Sequence, residues 1–301
     1  MKISGISIVL ATALLMGCGS SKQNIENDNT HTSGIIGGVL VPASSPVSKS
    51  IVGIYDDNEG FTCTGSLLPN NLVVTAAHCI GEKADGVFIV FAPDMETLLN
   101  SGKDFPTSPQ VRRVTALKAH EKWTTEVQPS QPGNDIGLMK YEGTTPAGYV
   151  PATLLQDASL IKVGATAMLA GYGVSSDKVV PVSPKTPGLQ KLIDQHEVFC
   201  DSQDAKKAKR CIKEELDGPA VLKATQVQIT DIANDSEVIL DEAHGHAACS
   251  GDSGGPAYLK VGDQYQLFGA TSRSGLGCNK DIVYTNILSY LTWIKDTAAS
   301  F

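Results

Sequence analysis

The chain has 301 residues, 42% of them hydrophobic and 19% charged, with a formal net charge of -8. That is enough apolar material for one large domain or two small ones, and the acidic balance excludes phosphate backbones as partners, since these are bound by clustered Lys and Arg. The densest basic run, Lys206-Lys207-Ala208-Lys209-Arg210, is soon followed by Glu214 and Glu215 and fits a solvated loop, so no nucleic-acid partner is expected.

The chain opens MKISGISIVLATALLMGC. Lys2 precedes an apolar run from Ile3 to Met16 that falls short of the roughly 20 residues a membrane-crossing helix needs and has the form of an export signal. Leu15-Met16-Gly17-Cys18 resembles a bacterial lipobox, whose cysteine takes lipid and becomes the new first residue. Residues 1–17 are therefore expected to be a lipoprotein-type signal peptide, and 18–34 a polar tether or propeptide. A chance cysteine near the end of an ordinary signal peptide is the other reading. Setting Cys18 aside leaves six cysteines: Cys63, Cys79, Cys200, Cys211, Cys249 and Cys278. An even set in an exported chain fits a disulfide framework. None is spaced C-x-x-C, so no zinc or other metal site is expected.

Past residue 35, short runs rich in Val, Ile and Thr alternate with Gly, Pro, Asn and Asp. Strands are predicted over Ser50–Tyr55, Phe61–Leu68, Leu72–Thr75, Gly86–Phe91, Ala165–Ala170, Thr225–Ile232, Tyr265–Ala270 and Ile282–Asn286. The apolar run after Asn134-Asp135 adds another. The stretch from Thr144 to Pro151 carries Pro and Gly and divides the strands into two groups, about 35–145 and 152–286. From about 175 to 220 the chain turns polar, charged and proline-bearing. This fits an inserted surface excursion, closed by a local bridge between Cys200 and Cys211. Only about 287–298 has a helical face, with Ile287, Leu291 and Ile294 in line. The expected body is all-β with a C-terminal α-helix.

Three short stretches carry chemistry. ACSGDSGGP, residues 248–256, sets Ser253 among glycines, so backbone N–H groups can face one external oxygen. It also fits the G-x-S-x-G elbow of α/β-hydrolases, where the histidine follows the serine in the chain. Here His31, His78, His120, His196, His244 and His246 all precede Ser253, which excludes that reading. TAAHC, residues 75–79, puts His78 beside a cysteine. NDIGLMKY, residues 134–141, puts Asp135 ahead of an apolar strand, where a carboxylate can be buried against an imidazole. Singly these are a turn serine, a structural histidine and a capping aspartate. Together they give the order His, Asp, Ser.

In that order, TAAHC, NDI and GDSGGP resemble the trypsin-like (chymotrypsin-fold) serine proteases, as does the closing VYTNILSYLTWIKDT, residues 283–297. The resemblance covers about residues 35–301, apart from the excursion. It implies two six-stranded antiparallel β-barrels with a C-terminal helix, and a monomer that hydrolyses protein or peptide substrates without a cofactor. His78, Asp135 and Ser253 would be the Ser-His-Asp triad, and the N–H groups of Gly251 and Ser253 the oxyanion hole. Cys63–Cys79 would pin His78, and Cys249–Cys278 would staple the specificity pocket. His244 and His246 are expected to be loop residues. Catalytically silent binding proteins also exist on this fold, but those have lost a triad residue.

SGIIGG, residues 33–38, resembles the family's Ile-Val-Gly-Gly activation sequence. Cleavage after Gly34 by an activating protease would free the Ile35 amine to pair with Asp252, although no Arg or Lys precedes the bond as in most relatives. The pocket would have Ala247 at its base, Ala248 next to it, Ser272-Arg273-Ser274 as substrate-pairing edge and Ile282 intruding from the wall. That is a shallow apolar slot for a small side chain. Asp281 adjoins Ile282, and a shift of one residue would instead favour Arg or Lys. The protein is expected to be exported, held at the cell envelope only by lipid on Cys18, and released outside after activation.

Overall fold

The β-branched runs pair as antiparallel neighbours, and pairing closes them twice. The computed structural model describes residues 35–125 and 131–301; the expected signal peptide, lipobox and tether lie outside them. Strands Ile51–Asp56, Phe61–Leu68, Leu72–Thr75, Gly137–Tyr141, Val111–Ala119 and Val87–Val90 hydrogen-bond in that order. The last returns to the first with Gly53 opposite Val90, so the sheet is a six-stranded barrel. Asn70 and Asn71 make the turn from Phe61–Leu68 to Leu72–Thr75 at positive φ, 65° and 61°, a conformation asparagine adopts more readily than most residues. Val52, Ile54, Leu67, Val73, Ile89 and Met139 fill the interior.

A second ring runs Thr166–Gly171, Pro256–Val261, Gln264–Ser274, Asp281–Asn286, Glu237–Asp241 and Lys223–Ile232. It closes where Ala224 meets Ala170, and the short strand Val39–Leu40 adds to its outside at Lys223 and Ala224. Two closed six-stranded antiparallel barrels result. A further apolar layer joins them. Ile51, Leu68 and Leu72 from the first barrel pack with Tyr172, Tyr258 and Leu267 from the second, and Ile294 of the C-terminal helix seals the edge. Each fully buried side chain of this size contributes about 1.5–3 kcal/mol, so the cleft between barrels has rigid walls.

The C-terminal segment begins as a 3-10 turn, Ile287–Tyr290, before the α-helix Leu291–Ser300. The excursion has more order than its composition suggests. Ser176–Val182, Phe199–Cys200 and Cys211–Asp217 form a separate three-stranded sheet, with the helix Leu189–Asp194 over a small core of Leu189, Ile193, Val198 and Cys211. Most side chains of its two long strands are exposed or half-buried, which is why apolar alternation does not reveal them. Cys63–Cys79, Cys200–Cys211 and Cys249–Cys278 are disulfides. No helix among the described residues is long and apolar enough to cross a membrane.

Candidate active site

Strand pairing brings His78 and Asp135 together. Leu72–Thr75 runs antiparallel to Gly137–Tyr141 with Thr75 opposite Gly137, so the residues after one strand emerge beside those before the other. His78 lies on the 3-10 turn Ala77–Cys79, and the Cys63–Cys79 bridge ties that turn to the neighbouring strand. His78 Nδ1 is 2.8 Å from Asp135 Oδ2, and the His78 N–H donates to Asp135 Oδ1 at 3.0 Å. Ser272 Oγ, from the second barrel, donates to Asp135 Oδ2 at 2.7 Å. Burial alone would raise the Asp135 carboxyl; the hydrogen bonds and charge of His78, then the Ser272 hydroxyl, hold it below the ordinary carboxylate range. The imidazole itself is one-third exposed, at 32%, against 7% for the aspartate side chain.

The Ser253 loop is stitched to the same barrel. Thr64 N donates to Ser253 O at 2.9 Å, and Thr64 Oγ1 donates to Gly251 O at 2.9 Å. Gly254 has φ 75°, and a Cβ there would sit 2.6 Å from both Ala76 N and Thr64 O; only glycine lets the loop approach so closely. Within the loop the N–H groups of Asp252, Gly254 and Gly255 all donate to carbonyls. Those of Gly251 and Ser253 donate to nothing among the described residues.

Asp252 points the other way, into the second barrel. Burial pushes its carboxyl up to about 7, although Cys249 N and Gly173 N donate to it at 2.9 and 2.8 Å. No cation pairs with it among the described residues. Ile35 is 1% exposed and packs into the core of that barrel. Its neighbour Ile36 exchanges both backbone hydrogen bonds with Ala247, at 2.9 and 3.0 Å.

The sequence matches the model of the family described as Trypsin over residues 35–294. The chain belongs to the trypsin family. Chymotrypsin-like elastase family member 1 of Macaca fascicularis is 28% identical to it over 97% of this chain and 98% of its own length. The Homo sapiens protein of the same description is 27% identical over 95% of this chain and 100% of its own, and chymotrypsin-C of Bos taurus 25% identical over 96% and 98%. The protein is a serine endopeptidase, and its disulfides fit export to an oxidising compartment.

In this trypsin-family protein Ala248, Ser272, Ser274 and Ile282 line a cavity of about 110 Å³ that also reaches Ser253. Ala247, fully buried in the bridge to Ile36, is not one of the residues lining this cavity. Thr271 and Ser250 add hydroxyls to the lining, so the slot is small but more polar than its alanines and isoleucine suggest. Asp281 is exposed, whereas Ile282 is buried opposite Leu240. Several contributors are not legible in the sequence. His246 Nδ1 lies 2.8 Å from Thr225 Oγ1 and 3.1 Å from Gly37 O, fastening the turn that follows Ile35. Arg273 makes a two-pronged ion pair with buried Glu237, at 2.8 and 3.0 Å, on the wall of a second cavity of about 290 Å³ beside His78. Glu242 is buried, and its carboxyl is pushed up to about 9 by burial; Ala248 N donates to Oε1 at 2.6 Å. Two groupings, Cys63/His78/Cys79 and Asp177/Cys249/Cys278, are tight enough for an ion, but every sulfur in them is in a disulfide, and only thiolate is a strong metal ligand.

Proposed function

We propose that Ser253, His78 and Asp135 are the catalytic triad and that the enzyme works through an acyl-enzyme. The observation that carries this reading is the chain Ser272–Asp135–His78 beside a loop that leaves the N–H groups of Gly251 and Ser253 unused. Ser253 Oγ attacks the peptide carbonyl carbon while His78 Nε2 takes its proton. The carbonyl oxygen becomes an oxyanion in the reach of the two N–H groups, each such donor being worth about 3 kcal/mol in the transition state. Collapse expels the amine, which takes the proton from His78, and leaves an ester on Ser253. Water repeats the sequence and frees the acid. Asp135, charged and aligned, keeps the Nδ1 proton in place and stabilises the imidazolium.

The small cavity supports a preference for Ala, Val, Gly or Ser before the scissile bond, since Ile282 occupies its wall and Asp281 lies outside it. The protein is made as a zymogen and activated by cleavage between Gly34 and Ile35. Two features support that step. Ile35 has φ 31°, a strained conformation for a β-branched residue that is relieved once no peptide precedes it. Buried Asp252 has no cation partner among the described residues, and a freed ammonium supplies one. Cleavage also separates the body from a lipid on Cys18. Protein starting at Ile35 should cleave peptides after Ala or Val and leave those with Arg, while Ser253→Ala should lose about a million-fold in turnover. Equal hydrolysis by the wild type and Ser253→Ala would refute the triad, and a preference for Arg would refute the pocket assignment.

A further inference from the structure

The excursion between 175 and 220 plays no part in the reading above, yet its two long strands begin and end at the nucleophile loop. Val174 N donates to Ser250 O at 2.9 Å, and Ser175 N donates to Asp217 O at 3.0 Å. From that root Ser176–Val182 and Cys211–Asp217 run antiparallel, and each sends one carboxylate to the same backbone group. Gly277 N donates to Asp177 Oδ2 at 3.1 Å and to Glu214 Oε1 at 3.0 Å. Gly277 sits in the turn between Ser274, which lines the small cavity, and Cys278, which is bridged to Cys249. That turn is conformationally demanding, with φ 82° at Gly277 and 42° at Cys278. The second value is uncommon for a residue with a Cβ, so the turn keeps its shape only if its surroundings hold it.

We propose that the excursion braces the wall of the specificity pocket, with Asp177 and Glu214 as positioning residues that act through Gly277. The proposal rests on the protease reading. Two carboxylate oxygens sharing one N–H repel when both are charged, and one proton between them turns repulsion into a hydrogen bond. Burial, then the hydrogen bond and charge of Glu214, push Asp177 up to about 6. The other charged groups nearby have partners of their own or stand apart. Lys213 pairs with Glu215 at 2.7 Å, Lys178 lies opposite Glu215, and Asp217 lies opposite Ser176. Lys280 and Asp281 follow Cys278 and Asn279 in the chain and are exposed, and neither makes an ion pair with Asp177 or Glu214 among the described residues. Asp177 therefore binds its proton more tightly in the folded protein than in the unfolded chain. The brace is complete at low pH and loosens as pH rises through about 6.

The test uses protein starting at Ile35, as wild type, Asp177→Asn and Asp177→Ala. A serine-directed phosphonylating reagent first gives the fraction of each carrying a reactive Ser253. KM and kcat are then measured for a peptide with Ala before the scissile bond, from pH 5.5 to 8.5. Wild-type KM should rise several-fold between pH 6 and 8. Asp177→Asn, which can still donate to Glu214 but adds no charge, should hold KM flat and low. Asp177→Ala should show the high KM at every pH, and the three kcat profiles should coincide. A wild-type KM independent of pH, or an unchanged KM in Asp177→Ala, with full labelling of Ser253, would overturn the brace and leave the protease reading intact. No labelling in any of the three would remove both.

Discussion

At Asp135 burial and hydrogen bonding pull in opposite directions, and hydrogen bonding wins. Three donors, two of them from His78, keep the carboxylate charged in a site where only 7% of the side chain is exposed. Its folded pKa lies below its unfolded one, so the stabilisation is present above the unfolded value and is lost as pH falls through the folded value. Ser272→Ala removes one charge-assisted hydrogen bond, worth about 1.5–3 kcal/mol. Acid unfolding of that variant should therefore begin at higher pH than in the wild type, which a melting series from pH 2 to 6 would show. Asp135→Asn leaves the histidine without its charged partner and should lower kcat about 10⁴-fold, measured on peptide substrate at neutral pH. An unchanged kcat would mean that the 2.8 Å contact to His78 has no part in catalysis.

At the scale of elements, the segment after Ile35 links the start of the body to the stretch that leads into the Ser253 loop. Ile36 pairs with Ala247, and His246 holds Gly37. Asp252, in that loop, has a folded pKa raised to about 7. In the uncleaved chain it favours the fold while protonated, and the contribution is lost as pH rises through about 7. The proposed cleavage would give it an ammonium partner that stays charged to about pH 8. The gap in melting temperature between mature protein and uncleaved Ser253→Ala precursor should widen from pH 5 to 7.5; a constant gap would show that the amine does not reach Asp252. Much of this scale is legible in the sequence. Phe61–Leu68 and Leu72–Thr75 occupy the residues their patterns give, because the Asn70-Asn71 turn between two mostly buried runs fixes where one ends and the other begins. The excursion strands are not legible, because sheet pairing holds them while their side chains face water. Nor is the hydroxyl of Ser272 on Asp135, which joins residues far apart in the chain.

For the whole molecule, the decisive feature is that the cleft lies between two closed barrels, so each supplies part of the site without distorting. His78 and Asp135 come from one, Ser253 and Ser272 from the other, over a shared apolar layer. Residue order in the chain makes this arrangement legible; the width of the cleft and its polar lining depend on packing and are not. The six cysteines of the body are paired with one another, which leaves none to hold residues 18–34 after cleavage at Gly34. Membrane-bound protein should therefore begin at an acylated Cys18 and be inactive, and soluble protein should begin at Ile35 and be active, as N-terminal mass analysis of the two fractions would show. Active protein still acylated at Cys18 with the Gly34–Ile35 bond intact would contradict release by activation. The most direct test of the central claim is the site of covalent labelling by a serine-directed phosphonylating reagent in protein starting at Ile35. One adduct on Ser253, abolished in Ser253→Ala and strongly slowed in His78→Ala, is the predicted result; labelling of a different residue, or undiminished labelling in His78→Ala, would contradict it.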